Sequence, residues 1–222
     1  MAQVFHKSAN NIAKASIVAL VLVSGLAGFM VTQISRSSYL TGQFVEKQQP
    51  VQFSHKHHVG DDGIDCRYCH TSVETSSSAG MPPTSTCMNC HSQIWADSPY
   101  LEPVRASFRD NKPIQWERVH DLPDYVYFNH SIHVAKGVGC NTCHGQIDNM
   151  ASVFQENTLQ MEWCLSCHRQ PENFLRPKSE IYNMSWRPQN RSFEEVSEGL
   201  KLKAEYKVRD TTMMTSCSTC HR

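Results

Sequence analysis

Hydrophobic positions are distributed unevenly along the 222 residues. One apolar stretch, residues 12–34, is interrupted early by Lys14 and carries no other charge. As a helix it would be roughly 35 Å long at about 1.5 Å per residue, enough to cross the hydrocarbon core of a bilayer. Lys7 and Lys14 stand on its N-terminal side and Arg36 follows it; Lys14 can snorkel to the interface. A cleaved signal peptide would use Gly25-Leu26-Ala27 as its site. Apolar residues continue past that point through Phe29, Met30, Val31 and Ile34, which favours an uncleaved anchor. Beyond the span the chain is poor in aliphatic residues, and only short elements are expected. These are an extended run at Tyr125-Val126-Tyr127, a short helix capped by Asn129, and a helix through about Lys203. Ser192-Phe193-Glu194-Glu195 would open that last helix as a capping box, with a structural or partner-facing role.

Charge narrows the function class. Lys+Arg number 21 and Asp+Glu 21, so the chain lacks the basic excess of a nucleic-acid binder. The ten cysteines fall without remainder into five Cys-x-x-Cys-His units: Cys66-Cys69-His70, Cys87-Cys90-His91, Cys140-Cys143-His144, Cys164-Cys167-His168 and Cys217-Cys220-His221. This is the attachment pattern of c-type haem. Two thiols three positions apart can each add to a vinyl group of one porphyrin, and the adjacent histidine then supplies the proximal nitrogen to iron. Zinc ribbons use such pairs two at a time and would leave one over. A disulfide framework needs no histidine after each pair, and thioredoxin-like pairs come singly on a βαβ pattern absent here. Twelve histidines in 222 residues would fall by chance after all five pairs with a probability of roughly 10⁻⁷. Five haem c groups would themselves form much of the core, leaving a mostly irregular, short-helical fold behind one N-terminal transmembrane helix; the spaced motifs resemble the multihaem c3/c7 pattern. Trp116, Trp163 and Trp186 are expected to pack on haem edges rather than relay electrons.

First cysteines of successive motifs are separated by 21, 53, 24 and 53 residues, an internal repeat of about 75. Phe53-Ser54-His55-Lys56-His57-His58 precedes the first motif and Phe128-Asn129-His130-Ser131-Ile132-His133 the third. Both read Phe-x-His-x-x-His, whose two histidines share one helical face and can serve two neighbouring haems. Residues 204–209 lack this pattern before the fifth motif, so its distal ligand must come from elsewhere. His6 lies in the N-terminal tail. Beyond it and the proximal set, six histidines remain: His55, His57, His58, His120, His130 and His133. The repeat pairs His57 with Ile132 and makes it the spare. The count makes His55, His58, His120, His130 and His133 the distal ligands, with His120 resting on the count alone. Met81, Met161, Met184, Met213 and Met214 are rivals for one His/Met haem, though each is more naturally a packing residue.

Iron closed on both axial sides moves electrons and offers no place for substrate, which points to an electron conduit and not an enzyme. A multihaem reductase with one open haem is the competing class. Phe53-x-His55-x-x-His58 before Cys66-Arg67-Tyr68-Cys69-His70, Met81-Pro82-Pro83 before the second motif, and the run from Val119 through His120-Asp121-Leu122-Pro123 to His130 carry a resemblance. Together with the single span and the closing Cys217-Ser218-Thr219-Cys220-His221, the chain resembles the pentahaem cytochrome c subunit of alternative complex III, a bacterial quinol:cytochrome c oxidoreductase. The resemblance implies quinol oxidation in a separate polytopic membrane subunit and electron entry from iron–sulfur clusters of a molybdopterin-enzyme-like subunit. It implies exit through a monohaem cytochrome c toward a soluble carrier or terminal oxidase, with no catalytic residue in this chain. NapC/NrfH-type quinol dehydrogenases are the alternative. None of the five motifs has the Met two places after His that marks their quinol-proximal haem, and 37–49 looks like a flexible linker.

The expected organisation is a cytoplasmic tail at 1–11, an anchor at 12–34, a linker at 35–52 and a periplasmic pentahaem domain at 53–222. That domain would comprise modules 53–127 and 128–203 and an incomplete third module at 204–222. The chain would then be a single-pass protein of the bacterial inner membrane.

Overall fold

The computed structural model describes residues 4–186 and 193–221. The chain forms two units, Met1–Gln43 and Phe44–Arg222. The first is built on the helix Ala9–Arg36, 28 residues with a mean hydropathy of 2.2 over its most apolar window and no buried residue. By length and composition it can span a membrane. Its last turn carries Arg36, and the chain leaves it through a one-turn helix, Ser38–Thr41, closed by Gly42 at φ 69°.

The second unit has no β-strand among the described residues, only isolated bridges such as Val126↔His221 and Val138↔Leu175. Each Cys-x-x-Cys-His motif sits on a helix of one to three turns: Cys66–Cys69, Thr84–His91, Cys140–His144, Met161–Arg169 and Cys217–Cys220. One turn is all that is needed to bring two cysteines three positions apart onto one side. The core is thin. Val51, Leu101 and Val104 are buried together with Cys87, Met88, Ile114 and Trp116 packed around them. Among the described residues no large side chain is fully enclosed. Trp116 thus packs beside Cys87 and Met88 of the second motif.

The two modules meet reciprocally. The Lys56 N–H of the first donates to the Met150 carbonyl of the second, and the Ser131 N–H of the second donates to the Ser76 carbonyl of the first. Lys56 and Ser131 follow the first histidine of each Phe-x-His-x-x-His, and Ser76 and Met150 each lie ten residues past the first cysteine of their motif. The Cys66 side chain also lies beside that of Cys140, its own counterpart. Like meets like, as in an isologous dimer interface. At Gly60 the chains approach so closely that a Cβ would lie 2.3 Å from the Asp148 carbonyl oxygen.

Residues 44–49, expected in a linker, are instead held in the second unit. Phe44 N–H donates to the Gln155 carbonyl, Lys47 Nζ to the Arg118 carbonyl at 2.6 Å, and Gln49 exchanges two bonds with the Glu117 backbone. Asn129 caps His130–Ala135 as expected, its side chain accepting from Ile132 N–H. Tyr127 N–H bonds the Cys220 carbonyl, so the extended run at 125–127 lies against the fifth motif. The helix Phe193–Glu205 packs on Pro171–Asn173, with Lys203 on Glu172 at 2.8 Å. Its expected cap, Ser192, lies outside the described residues.

Arg176 holds the third motif in place. It is 2% exposed, and its guanidinium donates to Asn141 Oδ1 at 2.6 Å, to Thr142 Oγ1 at 3.1 Å and to the Glu180 carbonyl. It lies 4.3 Å over the Trp186 ring. Gly139 makes this possible: a Cβ there would be 2.0 Å from Arg176 Cζ. Gly139→Ala is therefore expected to cost about 1–3 kcal/mol by overpacking. A thermal melt of the haem-loaded protein should show it as a drop of several degrees, while Gly63→Ala, in open space, tests the cost of a left-handed alanine alone.

Candidate functional site

Nine histidines flank the five motif helices, and their Nδ1 partners decide what each ring can do. Carbonyl oxygens only accept, so a ring whose Nδ1 meets one must carry its proton there and leave Nε2 bare as a metal ligand. Six rings are fixed in this way. His58 bonds the Ser54 carbonyl, His133 that of Asn129, His130 that of Ser77, His70 that of Gly80, His91 that of Ile94 and His168 that of Met214, all at 2.7–3.0 Å. Burial also disfavours the imidazolium form, pushing His55 down to about 4 and His144 to about 3.

The rings come in pairs. Ring centres lie 6.5 Å apart for His55 and His70, 6.1 Å for His58 and His91, 6.4 Å for His130 and His144, and 6.2 Å for His133 and His168. A metal–imidazole bond of about 2 Å on each side, plus roughly 1 Å from nitrogen to ring centre, separates two axial ligands by about 6 Å. All four pairs have that spacing, and each joins one histidine of a Phe-x-His-x-x-His to one of a Cys-x-x-Cys-His.

The phenylalanine of the repeat has a visible task. Phe53 stacks on His58 at 4.4 Å and meets His55 edge-on at 4.9 Å. Phe128 does the same to His133 and His130, both at 4.8 Å. One ring thus orients two imidazoles of neighbouring sites. His57 is exposed beside Asp61 and Asp62, as befits the spare.

His120 is not brought into such a pair. Its ring lies edge-on to His144 at 4.4 Å, with Nε2 3.3 Å from His144 Nδ1. His221 has Tyr125 as its ring neighbour, at 5.8 Å. Among the methionines weighed as ligands, Met184 is buried, whereas Met81, Met161 and Met213 are largely exposed.

None of the ten cysteines is joined to another in a disulfide. Among the described residues no three His, Cys, Asp or Glu side chains converge on a metal-sized site, unlike a four-donor zinc centre. Burial raises the thiol of Cys143, to about 12. A cavity of about 190 Å³ opens beside Cys87, walled by Met81, Pro82 and Trp116, an apolar setting suited to a porphyrin edge.

The family model described as cytochrome c7 and related cytochrome c matches residues 51–106 and 126–222. The chain belongs to this family. It is accordingly a multihaem cytochrome that carries c-type haem and serves electron transfer. The multihaem cytochrome c subunit of menaquinone reductase from Nitratidesulfovibrio vulgaris (strain Hildenborough) is 31% identical over 153 residues, covering 60% of this chain and 72% of that protein. Covalent attachment has a direct check. Acid–acetone extraction of the purified protein is expected to leave the haem colour on the polypeptide, and colour passing into the organic phase would contradict thioether linkage.

Proposed function

We propose that this cytochrome is the five-haem relay subunit of a quinone-reactive complex in the bacterial inner membrane. The four histidine pairs spaced for an intervening iron carry the reading. In it Cys66, Cys69, Cys87, Cys90, Cys140, Cys143, Cys164, Cys167, Cys217 and Cys220 attach five haems. His70, His91, His144, His168 and His221 are proximal ligands, and His55, His58, His130 and His133 are distal ligands at the first four motifs. A c-type haem supplies a one-electron couple that needs no open coordination position. The chain's part is to close both axial positions at the first four sites, exclude substrate there, and set one site beside the next.

Ring and backbone contacts support an order for these sites that differs from their order in sequence. His55 and His58 share Phe53, His130 and His133 share Phe128, the Lys56–Met150 and Ser131–Ser76 bonds join the modules, and His168 bonds the Met214 carbonyl three residues before Cys217. The neighbours therefore run second, first, third, fourth, fifth. The Phe-x-His-x-x-His turns bridge the second site to the first and the third to the fourth. The reciprocal module contact joins the first to the third. The second and fifth sites are the ends of the row, where partners would deliver and collect electrons.

The relative is a subunit of a menaquinone reductase, and the resemblance to alternative complex III names quinol as donor. A row of closed sites conducts in either direction. We assign the direction from quinol, through iron–sulfur clusters of a molybdopterin-like partner, to a monohaem cytochrome c or oxidase. Polytopic subunits would hold the quinol, Ala9–Arg36 would anchor the chain, and the cytochrome domain would face the periplasm.

Purification in mild detergent is expected to recover the chain with membrane partners, five haems by pyridine haemochrome, and haem reduction on adding a quinol. Recovery alone with quinol oxidation intact would overturn the subunit reading. Quinone reduction driven from the cytochrome side only would reverse the direction. Ligation has its own test: His130→Ala is expected to open one haem to carbon monoxide, whereas His57→Ala leaves carbon monoxide binding as in the wild type.

A further inference from the structure

The two modules repeat each other closely enough that a departure at one equivalent atom stands out. In the first module the proximal-side His70 donates its Nδ1 proton to the Gly80 carbonyl, ten residues on. The equivalent carbonyl in the second module would be that of Phe154. Phe154 is engaged instead with the incoming strap at 44–49, bridging Glu46 while its ring meets Phe44 at 6.0 Å. His144 has the imidazole of His120 at its Nδ1, 3.3 Å away. Every other site histidine with an Nδ1 partner uses a backbone carbonyl. The third motif alone has a side chain there.

The placement is built. Lys47 and Gln49 of the strap hold the backbone at Arg118 and Glu117. Arg118 closes on Asp121 at 2.9 Å, fixing the turn that carries His120. His120 also lies between the two stretches matched by the family model, 51–106 and 126–222.

We infer that His120 is a positioning residue for the third site: it accepts the Nδ1 proton of His144 and so sets the electron density that His144 offers to iron. This rests on the reading of His144 as a ligand through Nε2. Such ligation leaves the proton of His144 at Nδ1, and His120 Nε2 must then be the acceptor, with its own proton at Nδ1. A stronger acceptor behind an axial histidine makes it a more basic ligand and favours the ferric state. His120 thereby lowers the potential of one haem in the middle of the row.

The test compares His120→Leu and His120→Asn in the full-length protein within its complex, by potentiometric titration with optical and EPR detection. In the Leu variant one midpoint potential is expected to rise while the spin states and carbon monoxide binding stay those of the wild type. In the Asn variant, whose amide oxygen can accept the same proton, most of the shift should be reversed. A new high-spin, carbon-monoxide-binding haem in the Leu variant would make His120 an axial ligand and overturn the inference. Unchanged potentials, or equal shifts in both variants, would leave only a packing role and overturn it too. A wild-type haemochrome count below five, or His144→Ala without effect on any haem, would instead strike the underlying assignment of the site.

Discussion

An imidazole binds a metal only along one line, from the bare nitrogen outward in the ring plane, so two imidazoles sharing one iron must face each other at a set separation. That requirement organises the cytochrome unit. The Nδ1–H bonds to carbonyls at Ser54, Ser77, Gly80, Ile94, Asn129 and Met214 are each worth only about 1 kcal/mol net. Their direction matters more than their strength, because each fixes a tautomer and aims the opposite nitrogen. Phe53 and Phe128 finish the aim by wedging two rings at once. Short helices and loops suffice for this, and the sparse apolar core follows from an interior made to receive flat cofactors.

The parts legible from sequence are those in which a side-chain pattern recurs locally. Cys-x-x-Cys-His and Phe-x-His-x-x-His are such patterns, and each puts its chemistry within a turn or two of chain. The carbonyls that orient the rings were not legible, since Gly80, Ile94 and Met214 act through backbone oxygens that any residue would supply. The strap at 44–49 reads as a linker because its bonds to 117–118 and 155 are made by Lys47, Gln49 and main chain, with no apolar period to reveal them. Arg176 lies in a polar stretch and shows nothing of its burial. Histidine counting cannot separate a ligand from a ligand's hydrogen-bond partner, and His120 is the residue on which that distinction falls.

The two modules share a plan and differ in their surroundings. Arg176, Trp186 and Gly139 form a buried cationic support around the third motif, and His120 stands behind its histidine. Around the first motif the counterpart positions are lined by backbone and by the exposed Asp65–Arg67 pair. A buried positive charge resists oxidation of a neighbouring metal centre, whereas a good acceptor behind an axial imidazole eases it. The third site thus combines a buried cation with an imidazole acceptor, whereas its counterpart has the Gly80 carbonyl as acceptor and only an exposed arginine nearby.

The reciprocal seam bears on ancestry. A surface on which each half donates to the other what it also accepts, Lys56 to Met150 and Ser131 to Ser76, needs no shared gene to be complete. A half-length ancestor could pair with itself through this same seam. Tandem fusion then had only to join the ends, after which each half was free to diverge on its outer side.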